Sequence, residues 1–510
     1  MPWVRLNSLK KKAEASYWCG LKGFPGRRTI GPGEFHCTCG PGRNYPSHIG
    51  YQQELRAAMK KFTITFAVIA LVSAVSLTCN RSTALEYQKD PRVRELLGIM
   101  PDYPPVRFVV VSDTHYHDPS LGSSGEAYAK YLKDDNKMLH LSGEIFDAGL
   151  AKIAAEKPDF IVIPGDLTKD GEKINHERFR DRLGTLMKLV PKIFVIPGNH
   201  DVNNGMACRY HSDATEPVDA VSPEEFAKIY TDFGFGGALA RDVSSLSYVV
   251  EPTGGLWLLA LDSCIYRNNK PGKHPETQGE FSESTLKWIE TMLIRSKKEK
   301  KAVIVFMHHG IVEHYPHNEK YYGRFIVNQF ETVSNLFAEY GVRLVFTGHY
   351  HAQDITMKKL EAPGRFVFDI ETGSFVTHPC PFRVIGINRD QTVRVESRFI
   401  TSIASRREGF EKYTYDYAYT GTLGMVEKAL GKFWVSARDI ETVAPEIARA
   451  YVAHLRGDEI KPEKPIDTEG LGLLGKVAMK FQGNLIEGWN TDLPPADNNI
   501  IIDLKSGGWR

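Results

Sequence analysis

Residues 191–204 read PKIFVIPGNHDVNN. The apolar run Ile193–Ile196 has the length and β-branched character of a buried strand. It stops at Pro197 and Gly198, which punctuate a turn, and Asn199, His200 and Asp201 come next without a spacer. Three polar side chains on a tight turn do not serve packing. The carboxyl ends of strands are where α/β folds gather ligands, so this stretch predicts a strand that delivers a functional turn.

Other apolar runs end the same way. Phe108–Val111 is followed by Ser112, Asp113, Thr114 and His115, and Phe160–Ile163 leads to Gly165 and Asp166. Val303–Phe306 leads to His308 and His309, and Leu344–Phe346 to Gly348, His349, Tyr350 and His351. Leu256–Leu261 and Phe366–Ile370 are further strand-like runs. Segments with helical spacing, Ile145–Lys157, His176–Leu189 and Ser284–Ser296, lie between several of them. Alternation of this kind predicts a layered α/β core buried on both faces. Phe382–Ile387 and Thr392–Ile400 read as a hairpin through Asn388, Arg389 and Asp390.

Each of these turns alone is weak evidence, because an Asp-x-His after a strand is more often a capped turn. Five in succession are a constellation. Imidazole, carboxylate and amide oxygen without thiolate suit borderline divalent cations such as Mn, Fe, Zn or Ni. The donors are too many for one tetrahedral site and fit two metals about 3.5–4 Å apart that share a carboxylate.

Asp113-x-His115, Gly165-Asp166, Gly198-Asn199-His200-Asp201, His308 and Gly348-His349-x-His351 together resemble the signature of calcineurin-like metallophosphoesterases. The longer stretches IPGDLTKDGEKINHE, VIPGNHDVNN, SPEEFAKIYTDFGF, SLSYVV, LWLLALDS and TLKWIE are similar to bacterial class III cyclic nucleotide phosphodiesterases with a C-terminal helical domain. The likeness covers about residues 106–400. It implies a four-layer αββα sandwich, with one metal on Asp113, His115, Asp166 and His351 and a second on Asp166, Asn199, His308 and His349. Asp166 would bridge the two. It also implies that His200 assists departure of the leaving group, and Asp201 is expected to orient that imidazole. The expected reaction is in-line attack on a phosphodiester by a hydroxide bridging both metals, with cyclic nucleotides as the expected substrates. A phosphomonoesterase, nucleotidase or diphosphate hydrolase would use the same site. A surface binding module with a vestigial site is the non-enzymatic alternative.

The 510 residues carry a net charge of +2, but the charge is uneven. Residues 1–58 hold nine Lys/Arg against three Glu, and Lys60 and Lys61 add two more positives, so the rest sums to +2 − 6 − 2 = −6. An acidic body argues against nucleic-acid binding. From Met59, MKKFTITFAVIALVSAVSLTCN has the basic start and apolar stretch of an export signal, ending at Cys79. Residues 59–79 are therefore expected to be a lipoprotein signal, with membrane attachment through lipidated Cys79 and a place in the bacterial cell envelope. Residues 1–58 are expected to be a disordered or untranslated extension, 80–105 a linker, 106–405 the catalytic domain and 406–510 a helical C-terminal domain. Cys19, His36, Cys37 and Cys39 lack a matching second pair for a zinc site. With Cys79 lipidated, Cys208, Cys264 and Cys380 imply no disulfide framework.

Several polar residues near the motifs receive structural readings. His309 should face away from His308's side of the strand, and His117 is treated alike. His314 and His317, with Tyr315, Tyr321 and Tyr322, are expected in a solvated loop. Asn203 and Asn204 are expected to shape the turn, and Tyr413–Tyr419 to pack the helical unit onto the core.

Overall fold

Strands Val106–Val110, Phe160–Ile163 and Ile193–Val195 lie side by side and parallel. Parallel neighbours need a crossover, and helices Ser142–Ala155 and Lys173–Leu186 supply it. In this computed structural model, which describes residues 84–133, 135–464 and 466–510, they form half of a six-stranded sheet. Its other half is antiparallel: Pro381–Ile387, Thr392–Phe399 and Asn499–Asp503, in order outward from Val106–Val110. The expectations for residues 1–58 and 59–79, Cys79 included, lie outside the described residues.

A second, seven-stranded sheet runs Asp354–Lys359, Phe366–Glu371, Leu344–Thr347, Ala302–Met307, Leu256–Leu261, Tyr248–Thr253 and Ala240–Arg241. Strand residues alternate between two cores, as a period of two requires. Leu256, Leu258, Ala260, Ile304 and Phe306 face the first sheet, where Phe108 stacks on Phe160 at 4.7 Å and meets Phe346 edge-on at 5.3 Å. Trp257, Leu259, Leu261, Val303 and Val305 face outward instead, under Leu286, Ile289 and Leu293 of helix Glu283–Lys298 and Leu336 and Phe337 of helix Phe330–Glu339. On the outer face of the first sheet lie Ile145, Phe146, Phe179 and Leu183 of its two crossover helices. The result is the helix–sheet–sheet–helix sandwich. Each of these large side chains contributes roughly 1.5–3 kcal/mol by leaving water.

Two boundaries read differently in three dimensions. Within the stretch expected as a linker, Glu86–Lys89 and Pro91–Leu96 are short helices. The amides of Glu86 and Tyr87 donate to the Glu290 carboxylate at 2.7 and 2.9 Å, so this segment is docked. The C-terminal region has the expected helices, Phe410–Gly431, Ala437–Arg456 and Leu473–Gly488, but Leu85–Arg510 fall in one compact unit. Asn499–Asp503 then returns to pair with Thr392–Phe399. The run Ile500–Ile502 is too short to announce itself as a strand, and a partner far back in sequence completes it. Among the described residues, no helix is long and apolar enough to cross a membrane.

Candidate metal centre

Strands place the candidate ligands, and strained turns aim them. Asp113, His115, Asp166, His349 and His351 all have positive φ, between 37° and 76°. Such a backbone costs an L-residue of the order of 1–3 kcal/mol and persists only where its surroundings enforce it. The two glycines beside them are required by close approach: a side chain on Gly198 would collide with the Asp166 carboxylate, and one on Gly165 would reach within 2.7 Å of His308 Nδ1. The turns are also tied to one another, since the His349 amide donates to Asp113 Oδ2 at 3.1 Å.

Asp113, His115, Asp166 and His351 each direct one donor atom into a group spanning no more than 4.8 Å, and Asp166, His308 and His349 form a second such group. Asp166 belongs to both. Its Oδ2 lies 3.5 Å from His115 Nε2 on one side and 3.5 Å from His308 Nε2 on the other. Asn199 joins the second group, with Oδ1 3.1 Å from His308 Nε2. All seven residues expected to hold metals are thus brought together.

The chemistry of these contacts fits cations. His308 Nδ1–H donates to the Pro164 carbonyl at 2.9 Å, which leaves a lone pair on Nε2 facing the Asn199 carbonyl oxygen. Two lone pairs at that separation repel unless a positive charge lies between them. Nε2 is where positive charge is favoured: burial opposes it, yet Asp166 raises the imidazole to about 9, so a metal ion and a proton compete for the same lone pair. His115 Nε2 and His351 Nε2 face each other at 3.1 Å in the first group. His349 Nε2–H donates to the carbonyls of Thr277 (3.0 Å) and Arg324 (3.3 Å), which turns Nδ1 inward. Fixing a ligand's outer nitrogen to a carbonyl is how proteins set its tautomer.

His200 stands at the edge of the centre. Its amide donates to Asp166 Oδ1 at 2.8 Å, and its ring lies edge-to-face with His115, 5.0 Å between centroids. The expectation that Asp201 orients this ring is corrected by the structure. Nδ1–H of His200 is held instead by Asp170 Oδ1 at 2.9 Å and the Lys169 carbonyl at 2.8 Å. Asp201 points the other way because four donors converge on it: the amides of Gly198, Leu167 and Thr168, and the Thr168 hydroxyl, at 2.8–3.0 Å. It fastens the Asp166 turn to the Asn199 turn.

Asp170 was invisible to motif reading although it lies four residues after Asp166. Its partner explains why it works. The buried Lys169 ammonium sits 2.5 Å from Asp170 Oδ2, capped by the rings of Tyr131 and Tyr210. Burial alone would raise the Asp170 carboxyl, but Lys169 and His200 hold it well below the usual carboxylate range. A fully buried lysine thereby keeps an anion behind His200.

The remaining polar residues sort clearly. His309 is held away from the donor groups by the Ser263 hydroxyl and the Thr277 carbonyl. His117 bonds the Gly122 carbonyl and stacks on Tyr128. Asn204 donates to the His200 carbonyl at 3.0 Å and so braces the turn. His314 is not solvated: it is buried among Asp354 (2.8 Å), Glu371 (3.4 Å) and Asp369 (3.5 Å). Tyr315 is buried with it, while Tyr413 and Tyr417 pack against the core.

Residues 106–353, which include all seven donors, match the calcineurin-like phosphoesterase family. This segment is a calcineurin-like phosphoesterase domain. Among curated proteins, the chain is similar to the serine/threonine-protein phosphatase CPPED1 of Pongo abelii, 28% identical over 202 residues that cover 38% of this chain and 54% of the relative. The chain therefore spans about half the length of the first curated relatives it matches. It is also similar to the probable glycerophosphodiester phosphodiesterase GpdQ of Arcobacter nitrofigilis, 26% identical over 260 residues, 49% of this chain and 73% of that one. A solved dimetal phosphatase from Danio rerio aligns at 15% identity and a TM-score of 0.41, over 58% of this chain and 97% of its own.

Proposed function

We propose that the chain is a two-metal phosphodiester hydrolase whose substrates are cyclic nucleotides. The observation that carries the two-metal reading is the position of Asp166 between two complete donor groups. Two divalent cations there, drawn from Mn, Fe, Zn or Ni, would polarise a phosphoryl oxygen and acidify water. The rest falls to the chain. Asp113, His115, Asp166 and His351 hold one cation; Asp166, Asn199, His308 and His349 hold the other. His200, fixed through Nδ1, offers Nε2 to the oxygen that leaves and supplies its proton. Asp170 favours the imidazolium that donates it. The cyclic-nucleotide assignment rests on the sequence resemblance over residues 106–400 and is the finer part of the proposal.

A phosphomonoesterase is the rival, because specificity on a shared core lies in the loops around it. The test compares turnover of bis(p-nitrophenyl) phosphate, p-nitrophenyl phosphate and a panel of 3′,5′- and 2′,3′-cyclic nucleotides on one metal-loaded sample. Faster diester turnover with cyclic nucleotides among the best substrates is expected; faster monoester turnover overturns the diesterase reading. Metal content of the same sample separates both from a vestigial binding module, for which less than one equivalent would be found. We further propose export to the cell envelope through residues 59–79 with lipid on Cys79. Failure of a Cys79→Ser variant to change membrane fractionation would sink that attachment.

A further inference from the structure

A cavity of about 400 Å³ opens at the amino-terminal ends of strands Ala302–Met307, Leu344–Thr347 and Phe366–Glu371. The metal donors lie beyond the opposite ends of the sheets. A six-residue strand separates Ala302 from His308, which at about 3.3 Å per residue puts the two sites roughly 20 Å apart. Five cations line the cavity, Lys297, Lys301, Arg343, Arg365 and Lys505, against one acid, Asp102.

Two of the five are balanced elsewhere. Lys301 pairs with Glu251 at 2.6 Å and Arg365 with Glu339 at 3.6 Å. Lys297 and Arg343, both more than nine-tenths buried, are not balanced. Nζ of Lys297 donates to the Ile99 carbonyl at 2.5 Å, and Arg343 donates to the carbonyls of Phe366 (3.1 Å) and Gly364 (2.8 Å). Neither makes an ion pair among the described residues. Backbone carbonyls satisfy N–H donors but do not cancel charge, and buried cations are ordinarily paired. The cost is legible: burial, then Arg365 and Arg343, push Lys297 down to about 7.

We propose that this cavity binds a small oxyanion, the phosphate or carboxylate group of a free small molecule, seated among Lys297, Arg343 and Arg365. A compact anion is what the cluster lacks. Arginine forks match the geometry of phosphate and carboxylate, and a buried ammonium adds a point charge. The volume admits such a group with room for a small attached skeleton. The site is independent of the phosphoesterase reading, since no metal donor lines it.

The test is calorimetric titration of the full, metal-loaded chain with inorganic phosphate and, separately, with succinate. Phosphate should report two classes of site. Chelating the metals should remove one class, and Lys297→Met should weaken the other at least tenfold while turnover stays unchanged. Should Lys297→Met fail to fold, Lys505→Glu, on an exposed rim residue, should weaken the same class several-fold. Phosphate alone binding outside the metal centre assigns a phosphate ligand, and succinate alone a carboxylate ligand. A single class that vanishes with the metals, or a second class indifferent to both substitutions, overturns the proposal.

Discussion

His200 is tethered through Nδ1 to Asp170, 2.9 Å away, while its sequence neighbour Asp201 faces the opposite direction. The two carboxylates therefore separate by experiment. Asp170→Asn should keep both metals and lower kcat about 10–100-fold, the range seen when a supporting carboxylate is lost. Metal content and kcat measured on one preparation check this; unchanged kcat would remove Asp170 from the mechanism.

Asp201→Ala should act on stability first. It strands three buried amides and a hydroxyl, each costing about 1–3 kcal/mol when unpaired, so the combined loss is at least about 3 kcal/mol. Thermal unfolding should fall by several degrees, and metal affinity should fall with it, because the clamp joins the Asp166 and Asn199 turns. A variant with wild-type Tm contradicts the clamp.

Removal of metal should expose the repulsion built into the centre. Saturation at a thousandfold excess over Kd contributes about 4 kcal/mol to stability. Chelation should therefore lower Tm, and Asp166→Asn should abolish the difference between loaded and chelated protein, since Asp166 serves both groups. Calorimetry on the four samples reads this directly.

His314 gives the stability of the fold a pH dependence. Burial opposes its charge, but Asp354, Glu371 and Asp369 hold its folded-state pKa well above the ordinary value. A raised pKa contributes stability that is fully present below the unfolded value of about 6.5 and is lost as pH rises through the folded value. His314→Gln should cost about 3–5 kcal/mol below that pH, as removal of one member of a buried ion pair does, and the deficit should shrink on the alkaline side. Tm profiles of the two proteins across pH supply the check; parallel profiles would rule the charge out.

Trp489 ties the C-terminal region to the turn that carries His349 and His351. Its Nε1–H donates to the Tyr350 hydroxyl at 2.8 Å, and Tyr350 stands between His349 and His351. Trp489→Phe should reduce metal affinity up to about tenfold, with a stability loss near 1 kcal/mol. Equilibrium dialysis with Mn²⁺ measures the first effect.

The strands and donors were readable because each obeys a local rule. Phe108–Val111, Phe160–Ile163 and Ile193–Ile196 are apolar at strand length, and the turn at the end of each run is too polar and too constrained for packing. Asp170 and Lys169 escaped because their importance depends on Tyr131 and Tyr210, which lie on separate segments and come beside them only after folding. Asp201 misled for the converse reason: adjacency to His200 suggested contact, yet the turn sends successive side chains apart. His314 sat in a polar run that resembled a solvated loop, and the three acids that bury it come from two distant strands. The cations at the amino ends of the strands obey no motif.

The pairing of Asn499–Asp503 with Thr392–Phe399 constrains how this molecule can be made and trimmed. During synthesis the first sheet keeps a raw margin until residues beyond 500 have left the ribosome, long after the Val106–Val110 strand is available. A fragment cut at the change of sequence texture near 405 would keep every metal donor and still present Thr392–Phe399 as an unprotected border. Such borders recruit other chains, so that fragment should precipitate where the longer chain remains dispersed.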